Sequence, residues 1–413
     1  MLIPKTSLTK KKRTMQHTIN KSIFSHILPS QLDDLLASFQ GCKIGRELIT
    51  IEYEDHNYDC MPYLETVMDS NVQALSFFSG CGGLDIGAQM AGVKIISSLD
   101  FDKDAVNTLA ANPFFSHTQH RCDDIRNVSG KDYSQILKQN NPEKLILVGG
   151  PPCQPFSKAG YWKTLSQRLG PDDPRNMIGS YLNLIDEIRP DGFILENVES
   201  ILHPHNIQAI YDLQEILDTM GYHYSIQKVN AADYRVPQKR KRVFVFASKK
   251  KITHLPTPIC SPDSENNNLA GYERVIDWIG IFDKEKYASD LDSTEGKYEM
   301  HLELVPPGGN YISLSSNRGY EEPYFKAGTR YWTFLLKLHP LLPSWTIISQ
   351  PGHWEGPFHW KNRRLRSNEI AAIQTFPKDY KILGSPRAIH KQVGNAVPCI
   401  LGKHMIESLI KNI

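Results

Sequence analysis

Between residues 72 and 248 the chain switches repeatedly between two hydrophobic periods, and this narrows the possible folds more than any other feature. Continuous apolar runs read as strands buried on both faces: "VQALSFF" (72–78), "KIISSLD" (94–100), "KLILVGG" (144–150), "GFILENV" (192–198) and "RVFVFAS" (242–248). Between them the spacing is helical. "LDIGAQMAGV" follows the first run, and a second helix is expected at about 103–111. Ile178, Tyr181, Leu182, Ile185 and Ile188 mark a third, and Ile207, Ile210, Leu213, Leu217 and Met220 a fourth. Asp173 suits the cap of the third helix and Pro174 its first turn, while Gly221 suits the end of the fourth. Strands alternating with helices predict an α/β fold with a mostly parallel sheet covered on both faces. Ligands of such sheets lie at the carboxyl ends of the strands. That rule brings Phe78 to Gly83, Asp100, Gly149 to Cys153, and Glu196 with Asn197 to one edge.

The remainder of the 413-residue chain does not share this pattern. Residues 1–72 form an extension without an assignable role, in which "LPSQLDDLLASF" reads as a short helix and "ELITIEY" as a strand. Residues 73–255 hold the alternating pattern. Residues 256–365, rich in Pro, Gly, Ser, Asn and aromatics, read as a separate loop-rich module. Helical signals return in 366–413. No apolar run approaches bilayer length, and the basic N-terminus lacks an apolar core, so neither a membrane span nor a secretory signal is expected. Seven cysteines show no CxxC spacing, which argues against a disulfide framework or zinc ribbon and for a reducing, cytoplasmic setting. No metal is expected.

Two segments of the strand edge carry chemistry. "FFSGCGG" is a glycine-rich turn after a strand, suited to a nucleotide-type ligand. Counting from Gly80 and Gly82, the third glycine of a dinucleotide fingerprint is replaced by Asp85, which disfavours NAD or FAD. Asp100, 18 residues after Gly82, is placed to accept hydrogen bonds from ribose hydroxyls, and Asp124 to read an adenine amino group. "VGGPPCQPFS" (148–157) surrounds Cys153 with prolines that fix φ and stiffen the turn. A rigid thiol at a strand edge is a candidate nucleophile; a buried structural cysteine is the alternative. Glu196 lies at the end of the next strand. In "QKRKRVFVF", Gln238, Arg240 and Arg242 share one face of a strand and Lys239 and Lys241 the other.

In these motifs the chain resembles the DNA (cytosine-5-)-methyltransferases of bacterial restriction-modification systems. "FFSGCGGLDIGAQMAG", "PPCQPFS", "ENV", "QKRKR" and "QVGNAVP" occur in that family's order, with 43 residues from Cys153 to Glu196 and 44 from there to Arg240. The resemblance implies a Rossmann-like, S-adenosylmethionine-dependent methyltransferase fold with a smaller target-recognition domain at 256–365. It implies S-adenosyl-L-methionine as cofactor, held by Phe78, Gly80, Gly82, Leu84, Asp100, Phe101, Asp124, Ile125, Pro152, Asn395 and Val397. Cys153 would be the nucleophile and Glu196 the acid, with Arg240 and Arg242 supplying positive charge near the base and the thiolate. The segment after Cys153, with Arg175 as an anchor, matches the family's mobile loop. The implied partners are double-stranded DNA with a specific short site and a paired restriction endonuclease, with the enzyme itself a monomer. Residues 261–364 carry a formal charge of −3, a poor fit to a simple basic patch for DNA. Arg318, Lys326, Arg330, Lys361, Arg363 and Arg364 would have to cluster. A tRNA cytosine-5 methyltransferase and a catalytically silent DNA-binding protein on this fold are the alternatives. The first is disfavoured because Cys260 is followed by Ser261 and Pro262 rather than by that branch's "CFT" pattern.

Overall fold

The computed structural model describes residues 60–152, 177–262, 269–289, 292–315, 323–326 and 331–413. Cys153, Asp173, Pro174, Arg175 and the helix and strand expected before residue 54 lie outside them. The strands are β1 (Val72–Phe77), β2 (Lys94–Asp100), β3 (Gln119–Cys122), β4 (Lys144–Gly149), β5 (Gly192–Val198), β6 (His223–Asn230), β7 (Gln238–Lys239), β8 (Lys241–Ser248) and β9 (Ser344–Trp345). Seven of them form one sheet in the order β3-β2-β1-β4-β5-β8-β6. The first five pair in parallel, while β8 runs antiparallel to both of its neighbours. The fold is therefore a Rossmann-like, mostly parallel sheet.

Side-chain alternation explains why the strand runs are apolar throughout. Ala74, Ile146, Val148, Ile194, Phe244 and Phe246 enter one core. Their neighbours Leu75, Leu147, Phe193, Leu195, Val243 and Val245 enter a second core on the opposite face. Helices cover both faces. Among the described residues the first five are α1 (Gly83–Met90), α2 (Lys103–Ala110), α3 (Ser134–Asn140), α4 (Met177–Ile188) and α5 (Ile207–Met220). Gly221 ends α5 in the left-handed conformation, φ 76°, as a glycine there permits. The later helices are α6 (Val275–Ile279), α7 (Glu299–Leu304), α8 (Ser367–Ile373), α9 (Pro386–Asn395) and α10 (Cys399–Ile410).

The stretch 256–365 divides between two cores. Val275, Ile276, Trp278 and Ile279 of α6 join the main core with Ile370 and Ile373 of α8. Leu302, Val305, Tyr311, Leu314, Leu335 and Phe358 form a smaller core of their own. Rings meeting edge to face surround it, as in Tyr298 against Phe334 with centroids 5.0 Å apart.

The C-terminal helices return to α1, and glycines let them approach. A Cβ on Gly87 would lie 2.7 Å from the Gly402 carbonyl carbon, and one on Gly83 only 2.2 Å from the Val397 carbonyl oxygen. Both obstacles are main chain, so neither can rotate aside. Gly83→Ala is expected to destabilise the protein by roughly 1–3 kcal/mol or more. Urea denaturation measures this directly, and an unchanged midpoint would contradict the close approach.

Candidate active site

At the carboxyl end of β1 the chain makes a tight turn in which Phe78 (φ 53°), Gly80 (φ 53°) and Gly82 (φ 89°) all adopt positive φ. The two glycines face different surroundings. A Cβ on Gly82 would meet the Leu109 side chain at 2.8 Å and the Tyr380 hydroxyl at 2.9 Å, whereas one on Gly80 meets nothing within 4 Å. The open side of the turn is therefore at Gly80. Asp100, at the end of β2, accepts the Gly80 N–H through one oxygen (2.7 Å) and the Asp102 N–H through the other (2.8 Å). Burial raises its pKa above the usual carboxylate range. Each oxygen keeps a second acceptor position. Phe101 beside it is 75% exposed, unusual for an aromatic ring with no solvent-facing task.

The other predicted cofactor residues gather on this edge in different states. Asp124 caps the turn 125–127 and is already paired with Arg126, at 2.9 Å to its Nε. That partner holds the carboxyl below the usual range. Ile125 and Leu84 are buried in the cores on opposite faces of the sheet. Val397 presents its carbonyl to Gly83, and Pro152 and Asn395 are exposed. Sequence reading missed Lys391 on α9, whose ammonium donates to Asp102 at 2.6 Å. It also missed Gln392, whose amide oxygen accepts from the Thr108 hydroxyl at 2.9 Å. Both bonds span more than 280 residues, so no local spacing announces them.

Beneath the turn Asp85 is fully enclosed. Ser76 Oγ donates to one carboxylate oxygen at 3.0 Å, and the other has no hydrogen-bond partner among the described residues. Burial pushes its pKa up to about 7. A carboxyl whose folded pKa is raised stabilises the fold below its unfolded pKa and loses that contribution as pH rises towards 7. Between pH 5 and 7 the loss is roughly 2–3 kcal/mol. Comparing urea unfolding of the wild type and Asp85→Asn at both pH values checks this. The variant is expected to flatten the difference.

The second half of the edge is built around Glu196. Its Oε1 pairs with Arg242 Nε at 2.8 Å, and both side chains are largely withdrawn from solvent. Antiparallel pairing sets Val198 of β5 opposite Arg242, so the arginine enters β8 beside the end of β5. A Cβ on Gly150 would lie 3.1 Å from Glu196 Oε2. The main chain just before Cys153 therefore lies against this carboxylate. Asn197 Nδ2 donates to the Pro151 carbonyl at 3.3 Å and ties the same turn to β5.

Arg240 takes a different position from the one expected of an arginine pair facing the site. The strand is interrupted there, since Arg240 N–H donates to Asn230 Oδ1 and its carbonyl accepts from Ala231. Its guanidinium is 1% exposed and donates to the Ile347 carbonyl (3.1 Å) and the Gly394 carbonyl (2.9 Å). Gln238 reinforces the junction, accepting from Ile347 N–H and donating to Gln374. Arg240 thus joins the segment after β9 to the end of α9, while of the two arginines it is Arg242 that forms the ion pair with Glu196.

Of the basic residues suggested for DNA contact, Lys361, Arg363 and Arg364 have partners within the protein. Arg363 pairs with buried Glu369 (2.6 Å) and with Asp283 (3.0 Å), and Lys361 also pairs with Asp283 (2.8 Å). These acids are withdrawn from solvent and need cationic partners. Arg364 donates to the His353 carbonyl and lies over the Phe358 ring at 5.5 Å. Arg318 and Arg330 are outside the described residues.

The sheet order, the open glycine turn and the Glu196–Arg242 pair can be set beside known proteins. The profile of the C-5 cytosine-specific DNA methylases matches residues 72–411. The chain belongs to this family. Its reaction is therefore methyl transfer to carbon 5 of cytosine in DNA. Type II methyltransferase M.SacI of Streptomyces achromogenes is 33% identical, over 84% of this chain and 94% of the relative. Type II methyltransferase M.FnuDI of Fusobacterium nucleatum is 32% identical, over 82% and 95%. Among solved structures, methyltransferase EhMeth of Entamoeba histolytica superposes with a TM-score of 0.55 at 18% identity, covering 83% of this methylase and 99% of that chain. The Dnmt2 methyltransferase of S. pombe gives 0.53 at 14% identity, covering 82% and 98%. At those identities the likeness is one of fold.

Proposed function

We propose that this methylase modifies one cytosine within a specific short site of duplex DNA, using S-adenosyl-L-methionine and a transient bond from Cys153. We further propose that it is the modification partner of a restriction endonuclease, in keeping with relatives named Type II methyltransferases. The observation that carries the reading is the Glu196–Arg242 pair set against the Gly150–Pro151 turn that leads into Cys153.

The β1–β2 edge suits the cofactor. Gly80 leaves room for close approach, Asp100 keeps acceptor capacity for ribose hydroxyls, and Phe101 offers an exposed ring to adenine. When bound, S-adenosyl-L-methionine supplies an electrophilic methyl group. The chain's own residues prepare the base. The Cys153 thiolate bonds to carbon 6 of the ring. Glu196 delivers a proton to ring nitrogen 3, so negative charge does not build up and carbon 5 becomes enamine-like. Arg242 fixes the orientation of that carboxyl group and adds positive charge beside the base. After transfer a base takes the proton from carbon 5, nitrogen 3 gives its proton back to Glu196, and the Cys153–carbon 6 bond breaks, returning the thiolate. The target must first leave the base stack, at a cost of a few kcal/mol.

Bisulfite sequencing of DNA from cells expressing the protein tests the reading. Protection of one cytosine in one short motif is expected. Methylation without a defined site, or labelling of tRNA alone, would overturn it.

A further inference from the structure

Most cations near the catalytic edge are already engaged. Arg242 is paired with Glu196 and Arg240 with two main-chain carbonyls. Lys239, the residue before Arg240, differs. No carboxylate pairs with it among the described residues, although burial is enough to pull its ammonium below the usual lysine range. Among the described residues its charge-related contact is with an aromatic ring: Nζ lies 5.5 Å from the centroid of Trp345. Parallel pairing of β7 and β9 sets these two residues opposite each other, and Thr346 Oγ1 donates to the Lys239 carbonyl at 2.8 Å. Trp345 in turn meets Trp332 edge to face, with centroids 5.7 Å apart and planes at 78°. Trp332 is 47% exposed and the neighbouring Tyr331 64%. A half-buried ammonium without a carboxylate partner among the described residues therefore backs an exposed aromatic ledge, and the Arg240 junction fixes both to the segment that also holds Arg242.

We propose that Lys239 takes a backbone phosphate of the DNA strand that carries the target cytosine, and that Trp332, braced by Trp345, packs against the adjoining sugar and base. This rests on the DNA-modifying function proposed above and names the chemistry of one part of that surface. A phosphate supplies the charge that Lys239 lacks. Such a contact sets register on the duplex without reading sequence, and an exposed ring accepts any base face. The segment 261–364 is acidic overall, so one ammonium held rigidly at the right place has more effect here than diffuse attraction.

The test uses the full-length protein and a labelled duplex carrying its methylated site. Dissociation constants are measured over a range of salt concentrations for the wild type, Lys239→Gln, Lys239→Arg and Trp332→Ala. The slope of log affinity against log salt is expected to become shallower by about 0.9 in Lys239→Gln, one phosphate contact fewer. Lys239→Arg should restore it. Trp332→Ala should weaken binding at every salt concentration with the slope unchanged, and should lose part of the tryptophan quenching seen when DNA binds. Cofactor affinity by calorimetry is expected to stay at the wild-type value, which separates these effects from misfolding. If Lys239→Gln keeps the wild-type slope while the wild type still methylates its site, the phosphate contact is wrong and the function stands. If the wild type binds no duplex at all, the function proposed above fails, and this inference with it.

Discussion

A Cys153→Ala protein is expected to bind S-adenosyl-L-methionine and to methylate DNA no faster than background, a loss of roughly four orders of magnitude or more. Carbon 5 of cytosine is a poor nucleophile until a group adds at carbon 6, and the proposed nucleophile there is the Cys153 thiolate. The proposed role fits the turn that precedes the thiol. Pro151 and Pro152 fix the backbone ahead of it, Asn197 holds the Pro151 carbonyl, and Gly150 has no side chain to separate the turn from Glu196. Alanine removes only the sulfur, so cofactor binding on the β1–β2 edge should survive. DNA containing 5-fluorocytosine gives a second readout. The wild type should become covalently trapped because the carbon-5 fluorine cannot leave as a proton, and the variant should not. Turnover retained by Cys153→Ala would remove the thiol from the reaction.

The sheet was legible because its inner strands are buried on both faces and so consist almost wholly of apolar residues. β1, β2, β4, β5 and β8 could be located from those runs alone. β6 was not, since "HYSIQKVN" lies at the end of the sheet with only Val229 buried, and its period-two signal is weak. β3 is four residues long and polar, so no apolar run marks it. The site was legible to the extent that motifs lie on strand ends. Strand parity put Arg240 and Arg242 on one face and, in burial, Gln238, Arg240 and Arg242 do turn inward. Parity could not reveal that the strand breaks at Arg240, because the break depends on Asn230 and on carbonyls more than 100 residues away. The Lys391–Asp102 pair and the ledge at Lys239 were hidden for the same reason. Each is created by the return of a distant segment.

Glu196→Gln is expected to lower kcat by roughly 10²–10⁴-fold while leaving the fold and cofactor affinity intact. The amide is nearly isosteric with the carboxyl group, and its oxygen can still accept from Arg242 Nε, now at 2.8 Å from Glu196 Oε1. What the amide cannot do is deliver a proton to ring nitrogen 3. The pair also makes a sharper test than either residue alone. If Arg242 acts mainly by orienting Glu196, adding Arg242→Gln to Glu196→Gln should cost little beyond the first substitution, because its partner's chemistry is already gone. If Arg242 stabilises charge on the base independently, the two losses should multiply. Single-turnover rates for the two single variants and the double variant distinguish these cases. Near-wild-type kcat in Glu196→Gln would mean that nitrogen 3 receives its proton from elsewhere, and the role assigned to the Glu196–Arg242 pair would be lost.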